Sequence, residues 1–212
     1  MRQYLIIGAG QFGLSVAYNL IRKGNEVLLI DKDPEAMNQG REFATSMLVG
    51  DISDEKFMKT LGVRNFDVVI MAFASNIASS MFIATLLKEA GASYIIAKAK
   101  EQSLGKLLIK VGVDQIIYPE RDMGKRIADT LNATNVLDHI EISEEYGIVE
   151  IQVDEKWAGK TLEEIDFRKN YDLNIIAIKE NNDMNPSPNA MTKLRNHNRL
   201  VAFGRLDKIS NV

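Results

Sequence analysis

Cysteine is absent from the 212 residues, which removes disulfides, thiolate nucleophiles and thiolate metal sites together. Histidine is nearly absent. His139 and His197 stand far apart in the chain and leave little for a histidine-rich metal centre or a histidine relay. Positive charge is not in excess either: 26 Lys and Arg against 29 Asp and Glu give a net charge of −3. Phosphate-dominated nucleic-acid binding needs the opposite balance, so no nucleic-acid partner is expected. No apolar run is long enough to span a bilayer, and the chain enters directly into Met1-Arg2-Gln3-Tyr4-Leu5-Ile6-Ile7 without a signal-peptide core. A soluble, cytosolic chain is the expectation. What is present is ample apolar content, 46% of residues, for a core. The length suits one large domain, or a domain of ~130 residues with a small companion.

From residue 4 to about 135, short β-branched runs alternate with longer stretches of helical period, the pattern of βαβ units on a parallel sheet. Six runs read as strands: Tyr4 to Ile7, Glu26 to Ile30, Ser46 to Val49, Asp67 to Met71, Tyr94 to Ala97 and Gln115 to Tyr118. Most are continuously apolar, as strands covered on both faces are. Leu104, Leu107, Leu108 and Val111 recur at three- and four-residue steps and predict one of the intervening helices. The fold class is α/β, a Rossmann-like, doubly wound parallel sheet. Beyond Pro119, Met123 to Leu131 predicts a helix with Ile127 and Leu131 on one face. Past residue 135 the pattern becomes α+β. His139 to Ile142 and Ile148 to Val153 read as an antiparallel hairpin, Leu162 to Ile165 as a short helix, and Asn174 to Ile178 and Arg199 to Phe203 as strands. The polar stretch between the last two, with Pro186 and Pro188, predicts a flexible excursion. The expected domains are therefore 1–135 and 136–212.

Gly8-Ala9-Gly10-Gln11-Phe12-Gly13 fits G-x-G-x-x-G between the first strand and the first helix. Gly8 permits the tight turn, Gly10 lets a pyrophosphate approach the backbone, and Gly13 lets helix and strand pack closely. The helix start then offers free N–H groups and the positive end of its dipole. Asp31 answers this motif at the end of the second strand, 23 residues beyond Gly8. It would accept hydrogen bonds from ribose hydroxyls and repel a 2′-phosphate, which favours NAD(H), ADP or ATP over NADP, although Lys32 softens that rejection. The plainer reading of Asp31 is a solvated turn aspartate helping to cap the helix that begins near Pro34. Asp51, after the third strand, lies where an adenine would rest; alternatively Gly50-Asp51 is a strand-end turn and Asp54 caps the next helix. Ala72-Phe73-Ala74-Ser75 supplies small residues at the end of the fourth strand, where backbone passes a ligand. Ser79, Ser80 and Tyr94 read as ordinary helix and strand positions rather than catalytic groups. A dehydrogenase needs a proton donor or acceptor and a substrate pocket, and no such set is evident.

These features together resemble the RCK family, the cytosolic regulatory subunits of bacterial potassium uptake systems of the TrkA and KtrA type. The resemblance runs through Ile7 to Gly13, Leu61 to Asp67 and Ile117-Tyr118-Pro119-Glu120-Arg121-Asp122-Met123-Gly124, with Gly159-Lys160-Thr161-Leu162 like the companion C-terminal domain. It implies a nucleotide-binding, non-enzymatic gating subunit that binds NAD(H) or an adenine nucleotide (ADP, ATP or AMP). It further implies dimerisation, an octameric ring, and docking on the cytoplasmic face of a TrkH- or KtrB-like membrane subunit. Contacts to nucleotide are implied for Gln11, Asp31, Lys32, Asp51, Ile52, Phe73, Ala74, Ser75, Lys98 and Glu120. Lys98 would reach phosphate, or else snorkel at the surface; Glu120 would help hold a divalent cation beside a triphosphate, or else be an exposed turn carboxylate. Gln11 departs from the arginine of ATP-sensing relatives and brings no charge to a γ-phosphate. Cyclic di-AMP binding in the C-terminal domain would draw on Ile165, Arg168, Asn174, Ile176 and Pro188, where a purely dimer-forming face is the alternative. The competing classes are a small NAD(P)-dependent oxidoreductase and a redox-sensing repressor, the second of which would need a basic DNA-reading element.

Overall fold

The computed structural model describes every residue except 45, 74, 75, 133–135, 144, 182 and 206–212. Contacts divide the chain into two compact units, Met1–Arg121 and Asp122–Val212.

In the first unit, six parallel strands, β1 (Gln3–Ile7), β2 (Glu26–Asp31), β3 (Ser46–Val49), β4 (Val68–Met71), β5 (Ile95–Lys98) and β6 (Gln115–Ile117), form one sheet in the order β3-β2-β1-β4-β5-β6. This is the doubly wound order, reversing direction between β1 and β4, where ligands of such folds bind beyond the strands' carboxyl ends. Alternation along β1 sends Leu5 and Ile7 to one face and Ile6 to the other. The first face packs with Val69, Met71, Leu87 and Leu108, the second with Leu14, Ala17, Leu29 and Ile70. The strands are apolar throughout because both faces are covered.

The helices that cover them follow from spacing and caps. α1 (Gln11–Arg22) buries Gly13, Leu14 and Ala17 along one stripe. The short α2 (Pro34–Met37) and α3 (Glu55–Thr60) are capped by Asp33 and Asp54, and Asn76 caps α4 (Ile77–Glu89) by accepting from Ser79 N–H. α5 (Gln102–Val111) buries Leu104, Gly105 and Leu108 and ends at Gly112, whose φ of 106° suits a glycine C-cap. α6 (Pro119–Asn132) begins four residues earlier than the apolar period suggests, because proline is well placed at a first helical position. The division between the two units falls inside this helix.

The second unit is built on an antiparallel sheet ordered β10-β9-β11-β8-β7, from β7 (Val136–Glu141), β8 (Tyr146–Gln152), β9 (Leu173–Glu180), β10 (Asp183–Asn185) and β11 (Asn198–Arg205). The expected β7–β8 hairpin, short helix and two later strands are all present. α7 (Leu162–Ile165) starts at a reciprocal capping box between Thr161 and Glu164. α8 (Phe167–Tyr171), not foreseen, follows after Asp166 turns the backbone at φ 46°. It seats Phe167 and Tyr171 edge-on against Trp157, whose indole N–H donates to the Tyr171 hydroxyl at 3.1 Å. The polar stretch with Pro186 and Pro188, expected as an excursion, is anchored at several points. β10 pairs with β9, Thr161 bridges to Lys193, and Leu194, 1% exposed, plugs the core beside Leu173 and Leu200.

Candidate nucleotide site

The loop between β1 and α1 is shaped by three glycines with different physical reasons. Gly8 has φ 108°, and a Cβ there would press on the backbone of Ala72 and Phe73 at 3.0 to 3.1 Å. A Cβ at Gly13 would collide with the Gly8 carbonyl oxygen, so α1 lies directly on the loop. Gly10 is the exception: its φ of −72° suits any residue, and a Cβ there would meet nothing within 4 Å. Among the described residues, nothing requires glycine at position 10. Gly10 is also the N-cap of α1 and caps it with no side chain, and the first turn holds no acidic residue. Its N–H groups and the positive end of the helix dipole are thus left to an outside anion.

Asp31 is tied to this loop. One carboxylate oxygen accepts from Ala9 N–H at 2.6 Å and the other from Asp33 N–H at 2.9 Å. Asp33, not Asp31, caps α2. A carboxylate offers about four acceptor positions, so two remain for ribose hydroxyls. Across the cleft, Asp51 accepts from both the N–H and the hydroxyl of Ser53, at 2.9 and 2.7 Å. The Ser53 hydroxyl, then its N–H, hold the Asp51 carboxyl below its ordinary value, burial opposing and Lys32 assisting. Asp54 does cap α3, leaving Asp51 free of that duty.

Gly8, Asp31, Lys32, Asp51, Ile52 and Phe73 line a single cavity of about 290 Å³, together with Ile7, Ile30, Gly50, Ser53, Ser79 and Ile83. Six expected site residues therefore meet at the switch point. Ala74 and Ser75 lie outside the described residues. Gly10, Gln11, Phe12 and Gly13 form the loop and helix start beside the cavity without lining it. Lys98 and Glu120 belong to an adjoining region: Lys98 lines a second depression of about 570 Å³ with Asn76, Ile77, Ala78, Lys100, Glu101 and Leu104. The Lys98 ammonium bonds the Glu120 carboxylate at 2.5 Å and stands 5.7 Å over the Phe12 ring. Its side chain is 12% exposed, while that of Glu120 is 66% exposed. Donation from Lys98 holds the Glu120 carboxyl below its ordinary value. The pair joins the end of β5 to the first turn of α6, with Phe12 of α1 beneath the ammonium.

Sequence reasoning missed Ser53, Ser79 and Lys100 as wall residues. A serine two residues after the strand-end Asp51 was the available signal for the first; the others need the third dimension. Among the described residues, no group of three or more His, Asp or Glu side chains gathers as a metal site. No helix is long and apolar enough to cross a membrane, again among the described residues.

A six-stranded parallel sheet of Rossmann-like order, followed by a small antiparallel unit, defines a two-domain α/β and α+β architecture. The chain belongs to the TrkA family: residues 4–119 match the TrkA-N domain and residues 147–212 the TrkA-C domain. It is 40% identical over 209 residues to Ktr system potassium uptake protein C of Bacillus subtilis, covering 99% of this chain and 95% of that one. It is 38% identical to Ktr system potassium uptake protein A of the same organism, covering 96% and 91%. Among solved structures, the GsuK RCK domain matches with a TM-score of 0.69 at 21% identity, over 99% of this chain and 46% of that one. The GsuK channel bound to NAD matches at 0.67 and 21% identity, over 98% and 38%. These two likenesses show the fold, and this chain spans less than half the length of either structure. None of the named relatives is an oxidoreductase.

Proposed function

We propose that this chain is a cytosolic, nucleotide-binding regulatory subunit of a potassium channel or transporter. It converts nucleotide occupancy into the shape of a homo-oligomeric ring at the inner face of the membrane, making and breaking no bond. Full-length similarity to two Ktr potassium uptake proteins supports the role. The observation that carries the ligand class is Gly10, a glycine that no described residue requires, beside a helix start with no side-chain cap and an aspartate-floored cavity. Residues 1–135 would then be the sensor with its crossover helix, and 136–212 the companion domain.

Asp31 favours a free ribose over a 2′-phosphate, so NAD(H), ADP, ATP and AMP are preferred to NADP. Gln11 supplies hydrogen bonds but no charge, and the Lys98 charge is shared with Glu120. NAD(H), ADP and AMP are therefore favoured over metal-free ATP. A divalent cation would take its oxygens from Glu120 and the ligand's phosphates. In the companion domain, Arg168 donates to Asn174 at 2.8 Å; a dimer-forming face there is the reading preferred to a cyclic di-AMP site, which would have to draw on that already bonded pair.

Calorimetric titration of NAD(H), NADP, ADP, ATP, AMP and cyclic di-AMP tests this, with Gly10→Val and Gly13→Ala as variants. Gly10→Val costs under about 1 kcal/mol of stability, as an N-cap change, yet abolishes mononucleotide and NAD(H) binding. Gly13→Ala costs about 1–3 kcal/mol through overpacking. Unchanged affinity in Gly10→Val overturns the assignment of the site.

A further inference from the structure

Gly105 sits within α5, where alanine would favour the helix by about 1 kcal/mol. A Cβ at that position would overlap the Tyr118 hydroxyl oxygen and crowd the ring carbon bearing it at 3.0 Å. The glycine thus serves Tyr118, the last residue before α6. Tyr118 packs among the core residues of α5, and the Arg121 guanidinium stands 3.9 Å from its ring centroid. The ring is held between α5 and the first turn of α6. Between Tyr118 and Arg121 in sequence lies Glu120, the partner of Lys98. Neither Gly105 nor Tyr118 lines the nucleotide cavity or the adjoining depression.

We propose that Tyr118, seated on Gly105 and covered by Arg121, is a positioning residue that fixes the start of α6 and so holds Glu120 on Lys98. Lys98 stays neutralised until a ligand phosphate competes for it; this last step rests on the nucleotide reading above. The seat itself does not.

The first test therefore uses the nucleotide-free full chain: hydrogen–deuterium exchange over residues 119–126 in the wild type, Gly105→Ala, Tyr118→Ala, Tyr118→Phe and Gly105→Ala/Tyr118→Phe. Gly105→Ala and Tyr118→Ala raise exchange there. Tyr118→Phe alone resembles the wild type, and in the double variant it restores part of the protection, because removing the hydroxyl relieves the closest overlap with the new methyl, while the ring carbon at 3.0 Å and the Ile116 Cγ2 at 3.1 Å still have to give. An unchanged pattern in both alanine variants, or a Gly105→Ala effect that Tyr118→Phe does not relieve, overturns the proposal. The second test titrates metal-free ADP. Glu120→Gln frees Lys98 and tightens ADP by about 3- to 10-fold, in the range of one partly screened charge. Gly105→Ala tightens it in the same direction, and combining the two adds nothing further. Full additivity overturns the link through Glu120. A wild type that binds no nucleotide sinks the nucleotide reading, while the exchange test still decides the seat.

Discussion

At the scale of single residues, Asp31 does two jobs whose demands coincide. It is expected as a ribose acceptor, and it also holds the glycine loop by accepting Ala9 N–H at 2.6 Å and fixes the turn through Asp33 N–H. The loop is thereby set in place before any ligand arrives, which lowers the ordering cost of binding. Asp31→Asn retains one acceptor oxygen and turns an amide N–H toward donors already there. We expect a loss of about 1–2 kcal/mol in stability from the unpaired donor. NAD(H) affinity should fall about tenfold or more while NADP loses less, since the charge that repels its 2′-phosphate is gone. Thermal unfolding and paired NAD(H) and NADP titrations read both effects; an unchanged ratio between the two would remove Asp31 from ribose recognition.

At the scale of elements, what could be read from the sequence tracks how local the cause was. The six strands and the glycine loop are written in periodicity and in one short motif, and each appears where expected, within a residue or two. The three-residue β10 and five-residue α8 are not written locally: β10 exists through pairing with β9, and α8 through Trp157 receiving Phe167 and Tyr171. The same holds at the site. Asp31 and Asp51 stand at strand ends and could be found, whereas the Lys98–Glu120 pair was legible only by resemblance, and the Gly105–Tyr118 contact only in three dimensions. Asp114 shows how such non-local ties set stability. Its carboxylate accepts from Ile95 N–H at 2.7 Å and from Lys88 at 3.0 Å, joining the start of β5, the end of α4 and the approach to β6. Burial pushes this carboxyl up, but the Ile95 N–H and Lys88 outweigh it and leave it below its ordinary value. A lowered carboxyl stabilises the fold above the unfolded value near 3.9 and loses that contribution as pH falls through the folded one. Asp114→Asn should therefore cost about 1–2 kcal/mol at pH 7, by urea denaturation, with the gap closing below about pH 4. A gap that stayed constant with pH would assign the effect to packing instead.

At the scale of the whole molecule, a regulatory ring needs contacts between copies, and α6 offers a surface for them. Met123, Ile127 and Leu131 recur every four residues and are 52%, 53% and 81% exposed. Spacing of this kind puts them on one face of the helix, and an apolar stripe left in water marks an association surface more often than chance exposure. The stripe begins three residues after Glu120, so the helix that holds the partner of Lys98 also carries the face that, on the proposed function, would meet another copy. Coupling requires that a ligand bind two arrangements of the assembly with different affinity. Ile127→Asp with Leu131→Asp should therefore reduce the mass seen by light scattering to that of a monomer. Nucleotide affinity should change only by the assembly's share of it, because neither residue lines the cavity. In cells, the same variant should leave potassium uptake unresponsive to nucleotide. If the double variant kept its full mass, α6 would not be the contact; if it became monomeric and uptake still responded, ring shape would not be what the membrane partner reads.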